Sequence, residues 1–129
     1  MAQEYIRRFT GREGQVVELI VQPPEPNADD WQCVYRVIGL GTLEPTKVMG
    51  ADAIQAFTLA LTFASTALYF SEEYEKGELA WEGGISIADL GLPVAEIVRD
   101  EVEAKKLRVA PLLQDKISMT RKTLENYSS

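Results

Sequence analysis

The chain has no histidine at all. That removes Ser-His-Asp and Cys-His nucleophile arrangements and every metal site built on imidazole. It has one cysteine, Cys33, so no internal disulfide forms and nothing argues for an oxidising compartment. Cys33 sits in the middle of an alternating apolar pattern and reads as a small core residue rather than a nucleophile. Glycine-rich phosphate loops are missing too: Gly39-Leu40-Gly41 is a lone Gly-x-Gly with no Gly-Lys-Ser/Thr after it. The opening MAQEYIRRF is charged and leads into no apolar run, so a secretory signal is not expected and the cytoplasm is the expected compartment. Internal repeats and low-complexity segments are absent. Carboxylates are plentiful, but Asp29 with Asp30 and Glu72 with Glu75 fall in a loop and at a charged helix end, where water surrounds them. No catalytic group, cofactor or metal ligand is therefore expected, and the chain reads as a non-enzyme.

Charge is also missing from one long stretch, Ala53 to Ser71. Its length approaches that of a membrane span. Gln55, Thr58, Thr62, Ser65 or Thr66, Tyr69 and Glu72, however, put a polar stripe down one side, from which a lipid-facing helix would gain nothing. The expectation is a buried amphipathic helix and no membrane. Asp52 is a good N-cap, with Gln55 completing a capping box. Glu72 and Lys76 form an i,i+4 pair, and Gly77 suits the left-handed position after the last turn. This predicts one helix from Asp52 to Lys76. Ile54, Phe57, Leu61, Ala64 and Leu68 form its apolar face, and Ala53, Ala56, Ala60, Ala64 and Ala67 beside it allow close approach of a sheet.

Around that helix, 129 residues with 46% apolar and 26% charged content describe one ordinary globular domain, 1–129. Glu4–Phe9 and Gln15–Gln22 read as strands around a loop holding Gly11 and Gly14. Pro23–Asp30, with three prolines and two adjacent aspartates, reads as an exposed loop outside any sheet. Trp31–Leu40 is the strongest strand and Thr46–Met49 a short fourth. Beyond the helix, Leu79–Glu82 is extended, Gly83-Gly84 breaks the chain, and Asp89-Leu90-Gly91-Leu92-Pro93 is a turn. A helix from Val94 buries Val98 and Val102. Pro111 starts a last one, with Leu113, Ile117 and Leu124 as its stripe. The expected fold class is α+β: an antiparallel sheet of about four strands, one long helix on one face, then C-terminal helices over 95–129.

Net charge is −7, which opposes binding to nucleic acid or anionic lipid. It is unevenly spread: residues 1–71 carry −3, residues 72–103 carry −8 and residues 104–129 carry +4. The acidic block surrounds Trp81, and an aromatic ringed by charge is a composition typical of binding hot spots. Glu72, Glu73, Glu75, Glu78, Trp81, Glu82 and Asp89 are the expected partner-binding residues. The alternatives are a solvated surface for the acids and a core position for Trp81, which shares a face with Leu79.

Gly50-x-Asp52-x-x-Gln55-Ala56-x-x-x-Ala60-Leu61, Leu68-Tyr69, Ser71-Glu72-Glu73-Tyr74, Gly77, Trp81 and Asp89-Leu90-Gly91-Leu92-Pro93 resemble a family of small, uncharacterised bacterial α+β proteins. The resemblance covers residues 2–94; it implies a small bacterial cytoplasmic protein and carries no known activity. By analogy, single-domain acidic proteins of this kind resemble immunity partners of secreted antibacterial toxins. The expected function is an immunity protein that neutralises a basic toxin domain by direct binding. The alternatives are an acidic secretion chaperone for an effector, which would resemble a helix-first dimer, and a small enzyme using carboxylates.

Overall fold

The computed structural model describes residues 3–41 and 44–128, with side chains as far as Met119. Five strands form one antiparallel sheet: β1 Tyr5–Thr10, β2 Val16–Val21, β3 Glu25–Asn27, β4 Asp30–Ile38 and β5 Thr46–Gly50. β1 pairs with β2, which pairs with the second half of β4, while β3 continues along the same side of β4 and β5 takes the other side. The result is the expected meander, with β2 and β3 as one strand line interrupted at Pro23-Pro24.

The Pro23–Asp30 stretch is therefore not wholly a loop. Glu25, Pro26 and Asn27 pair with Gln32, Trp31 and Asp30, and Ala28 carries φ 55° at the first position of the connecting turn. Proline is tolerated because Asn27 and Asp30 close a two-residue hairpin. The next pair, Pro26 with Trp31, then exchanges no main-chain hydrogen bonds, and the missing N–H costs nothing.

One face of the sheet carries Phe9, Val17, Leu19, Val21, Cys33, Tyr35, Val37 and Val48, all buried. Helix α1, Ala53–Tyr69, lies across it over β4 and β5. Its start is as expected: the Gln55 N–H donates to Asp52 Oδ1 at 2.8 Å, and Gln55 Oε1 accepts from the Ala51 N–H. Its orientation is turned from the expected one. Ala56, Ala60, Ala64 and Leu68 are fully buried, Phe57 and Leu61 are half-buried flanks, and Ile54 is 78% exposed. Alanine faces the sheet because the layers meet closely at Gly50, where even a methyl group would collide with the backbone of Ala56. Larger side chains are displaced to the margins. Of the polar stripe, Gln55 and Thr58 face water, Thr62 and Thr66 bond back to carbonyls one turn earlier, and Ser65 and Tyr69 are buried.

The helix also ends sooner than expected. It stops at Tyr69; Ser71 then caps a separate turn, α2, Glu72–Glu75. The Glu72–Lys76 pair forms at 3.0 Å and Gly77 carries φ +68°. The Glu78 N–H donates to Glu73 O and the Gly77 N–H to Tyr74 O, a Schellman ending that belongs to α2. Break and restart share one hydroxyl: Ser71 Oγ donates to Leu68 O at 2.7 Å and accepts from the Tyr74 N–H at 3.2 Å.

The expected C-terminal helices are a single helix, α3, Arg99–Ser128, entered through a 3-10 turn at Glu96–Val98 and containing Pro111. Pro111 removes only the main-chain bond to Leu107, whose side chain is 79% exposed on the outer face. Val102, Lys105, Val109 and Leu113 are the buried stripe, Val98 is half-buried and Ile117 is 42% exposed. Leu124 lies outside the described side chains. No helix among the described residues is long and apolar enough to cross a membrane.

Candidate partner-binding surface

The acidic block begins on α2 and ends on α3, and a buried polar clasp holds the chain between them. Tyr69 and Tyr74 are both fully buried, edge to face at 5.0 Å. The Tyr74 hydroxyl donates to Ala88 O at 2.8 Å, while Tyr69 Oη accepts from the Leu90 N–H at 2.9 Å and donates to Asp89 Oδ1 at 3.4 Å. Asp89 Oδ1 also accepts from the Gly91 N–H at 2.9 Å, which tightens the Asp89–Gly91 turn. Burial pushes the Tyr69 hydroxyl up to about 12 and raises Tyr74 as well, so both rings stay protonated donors.

The expected site residues are divided by this arrangement. Glu75 accepts directly from Lys105, whose side chain is 8% exposed, and lies 3.5 Å from Arg108. The Lys105 hydrogen bond holds the Glu75 carboxyl below its ordinary value. Asp89 faces Lys106 at 3.8 Å. Lys116 donates to Gly77 O at 2.8 Å and Lys76 O at 3.3 Å, a cation placed on the carbonyl end of α2. The basic segment of α3 thus meets part of the acidic block within the chain. Glu72 and Glu82 are exposed, and Glu73 and Glu78 are partly so. On α3 and the turn before it, Glu96, Asp100, Glu101 and Glu103 are exposed as well.

Trp81 is half-buried, not a projecting anchor. The Arg7 guanidinium stacks on its ring, 3.8 Å from the centroid, and donates to Gly91 O at 2.6 Å and Leu90 O at 3.3 Å. Gly91, at φ +69°, leaves room for the ring where any side chain would overlap it. Leu79 beside it is fully buried, and Ala80 exchanges main-chain bonds with Thr10 at 2.8 and 3.0 Å. Next to the stack an open cleft of about 540 Å³ is lined by Ile6, Arg8, Val16, Trp81 and Glu82 among others. No group of three carboxylate, cysteine or histidine side chains among the described residues could hold a metal ion. Cys33 is buried with its thiol on Gln22 O at 3.3 Å, and burial raises its pKa.

Residues 5–94 match the family described as Domain of unknown function (DUF6968). The chain belongs to that family. The DUF6968 region contains the sheet, α1, α2, the tyrosine clasp and Trp81; α3 lies beyond it and supplies the cations that meet Glu75 and Asp89. No curated protein and no solved structure matches the chain.

Sequence reasoning missed Arg7, Tyr69, Tyr74, Lys105 and Lys106 as organisers of this surface. One signal was readable: Lys105 falls three residues after Val102 and four before Val109, so a helix running through all three puts its ammonium on the apolar stripe. A cation there needs an internal carboxylate, and the acidic block holds the nearest supply.

Proposed function

We propose that the protein is a non-catalytic binding protein that neutralises a basic protein by direct contact, as an immunity protein does with a secreted antibacterial toxin. One observation carries this reading. After α3 has engaged Glu75 and Asp89, Glu72, Glu82, Glu96, Asp100, Glu101 and Glu103 are still open to solvent, against exposed Lys76 and Arg99 in the same span. A net acidic field of this kind speeds encounter with a basic partner and disfavours acidic ones. The interface comprises Glu72, Glu73, Glu78 and Glu82 with the exposed edge of Trp81, while Glu75 and Asp89, part-exposed, are engaged by the cations of α3.

The test compares wild type with the combined variant Glu72→Lys, Glu78→Lys, Glu82→Lys, using circular dichroism to show that both are folded. Wild type should capture a basic protein from its native lysate, with an association rate that falls as salt rises. The variant should lose most of that rate and its salt slope. A folded variant that binds as fast, with the same slope, removes the acidic surface from the mechanism. Glu75 is left out of the variant because its loss would disturb α3.

A further inference from the structure

We infer that the outer edge of β1 pairs with the β1 edge of a second copy of this chain, antiparallel, with Ile6 opposite Ile6 on the twofold axis. The edge is unfinished. Thr10 exchanges both of its main-chain bonds with Ala80, so its N–H and C=O point away from β2. Peptide groups alternate in direction along a strand, so those of Ile6 and Arg8 point outward too. No main-chain partner reaches them among the described residues. Past the bridge at Ala80 no further main-chain bond among the described residues joins the neighbouring segment to β1; Trp81 and Gly91 meet the strand only through the Arg7 side chain, so the main-chain edge from Glu4 to Arg8 is unpaired. Tyr5, Ile6 and Arg8 are exposed there, at 54% and 46% for the first two. A straight, half-apolar edge without proline or bulge is a template for another strand.

The side chains select a second copy and one register. With Ile6 on the axis, Glu4 of each copy lies opposite Arg8 of the other, so opposite charges face each other twice. Within one copy Arg8 already meets Glu18 at 3.0 Å and Arg36 meets Glu4 at 3.4 Å, on the sheet face that no helix covers. Pairing would link these ion pairs into a chain of alternating charge, from Glu18 and Arg8 of one copy to Glu4 and Arg36 of the other. In the adjacent row Ile20 and Ile6, already cross-strand neighbours, would meet the partner's Ile6 and Ile20. Competing symmetric registers are worse: an axis at Glu4, Arg7 or Arg8 sets like charges face to face, which destabilises a strand pair. An axis at Tyr5 puts Glu4 opposite Ile6 and leaves Arg8 facing the N-terminal end of the other strand without a carboxylate.

The experiment is sedimentation equilibrium of the full chain across protein concentration, with amide hydrogen exchange on the same samples. The mass should rise from 14.4 kDa towards twice that value. The Ile6 and Arg8 amides should gain protection with concentration, while the Arg7 amide, already bonded within the sheet, should change little. Glu4→Lys and Arg8→Glu alone should each weaken the dimer by about tenfold or more, since the axis doubles every change. Combining them should restore it. A chain that stays monomeric overturns the inference and leaves the edge to a strand of another protein. A dimer in which the Ile6 and Arg8 amides stay unprotected, or whose charge-swapped double variant is no better than the singles, also overturns it.

Discussion

Two regions of this molecule are held together by different forces. The sheet and α1 are joined by apolar contact: fully buried alanines and Leu68 lie against Leu19, Cys33, Val37 and Val48. Segment 70–119 extends that same core with Leu79, Leu90, Val102 and Val109 and adds specific polar bonds to it: the two tyrosine hydroxyls, Glu75 with Lys105, and Lys116 on the end of α2. Apolar burial is non-directional and tolerates small shifts, whereas each polar bond loses its value once a partner is removed. The first region should therefore respond to volume, and the second to charge and pH.

The largest break in that comparison is Leu68→Ala. It removes a fully buried side chain and should cost about 2–5 kcal/mol in chemical denaturation, unfolding both regions together. Leu61→Ala, at a half-buried flank, should cost clearly less. Equal losses would mean that the helix turns Leu61 as fully inward as Leu68.

Next is Glu75→Gln, which leaves the Lys105 ammonium buried without its carboxylate. The expected loss is about 1–2 kcal/mol, reduced because Glu75 is itself 37% exposed. Hydrogen exchange should speed up in α3 first and leave β2 and β4 protected. The same contact predicts an acid limb. Glu75 is depressed in the fold, so its contribution is complete above the ordinary value of 4.5 and is lost as pH falls through the folded value. Wild type should loosen at α3 on acidification, and the Gln variant should lack that limb. At the alkaline end the sign reverses. Tyr69 is raised from 10 to about 12, so its contribution is present below pH 10 and is lost as pH climbs through that interval. Absorbance titration should show two late-ionising tyrosines, Tyr69 and Tyr74, of which Tyr69→Phe removes one.

The smallest effect is Asp52→Ala at the start of α1, about 1 kcal/mol through loss of the acceptor for the Gln55 N–H. It should appear as a uniform drop in stability with α3 docking unchanged. If it instead released α3 selectively, the two regions would be coupled through the cap, and their separation would fail.

Much of the first region was legible because local chemistry decides it. Alternation in Trp31–Leu40, the glycine-bearing loop between the first strands and the Asp52 cap each act over a few residues and survive into the fold. The Pro23–Asp30 stretch was misread because proline excludes a residue from a ladder only at hydrogen-bonded sites, and register settles which sites those are. The α1 face was misread because size was weighed above closeness; alanine wins where the layers meet at Gly50. In the candidate surface, the acidic residues were visible as a run of one sign. Their division into members paired by α3 and members left open was not, because Lys105 and Arg108 reach Glu75 from some thirty residues away and Lys106 reaches Asp89 from about seventeen.

By itself the sequence determined the class of fold, the meander of four of the five strands, the start of α1 and the imbalance of charge, since these follow from period, capping and composition. Tertiary structure alone decided that α1 stops at Tyr69, that Pro111 sits inside one helix, that Trp81 is held under Arg7, and that α3 pairs Glu75 and Asp89. Each of those outcomes depends on which distant groups arrive at one place, and a buried ion or ring is stable only where its partner is already waiting.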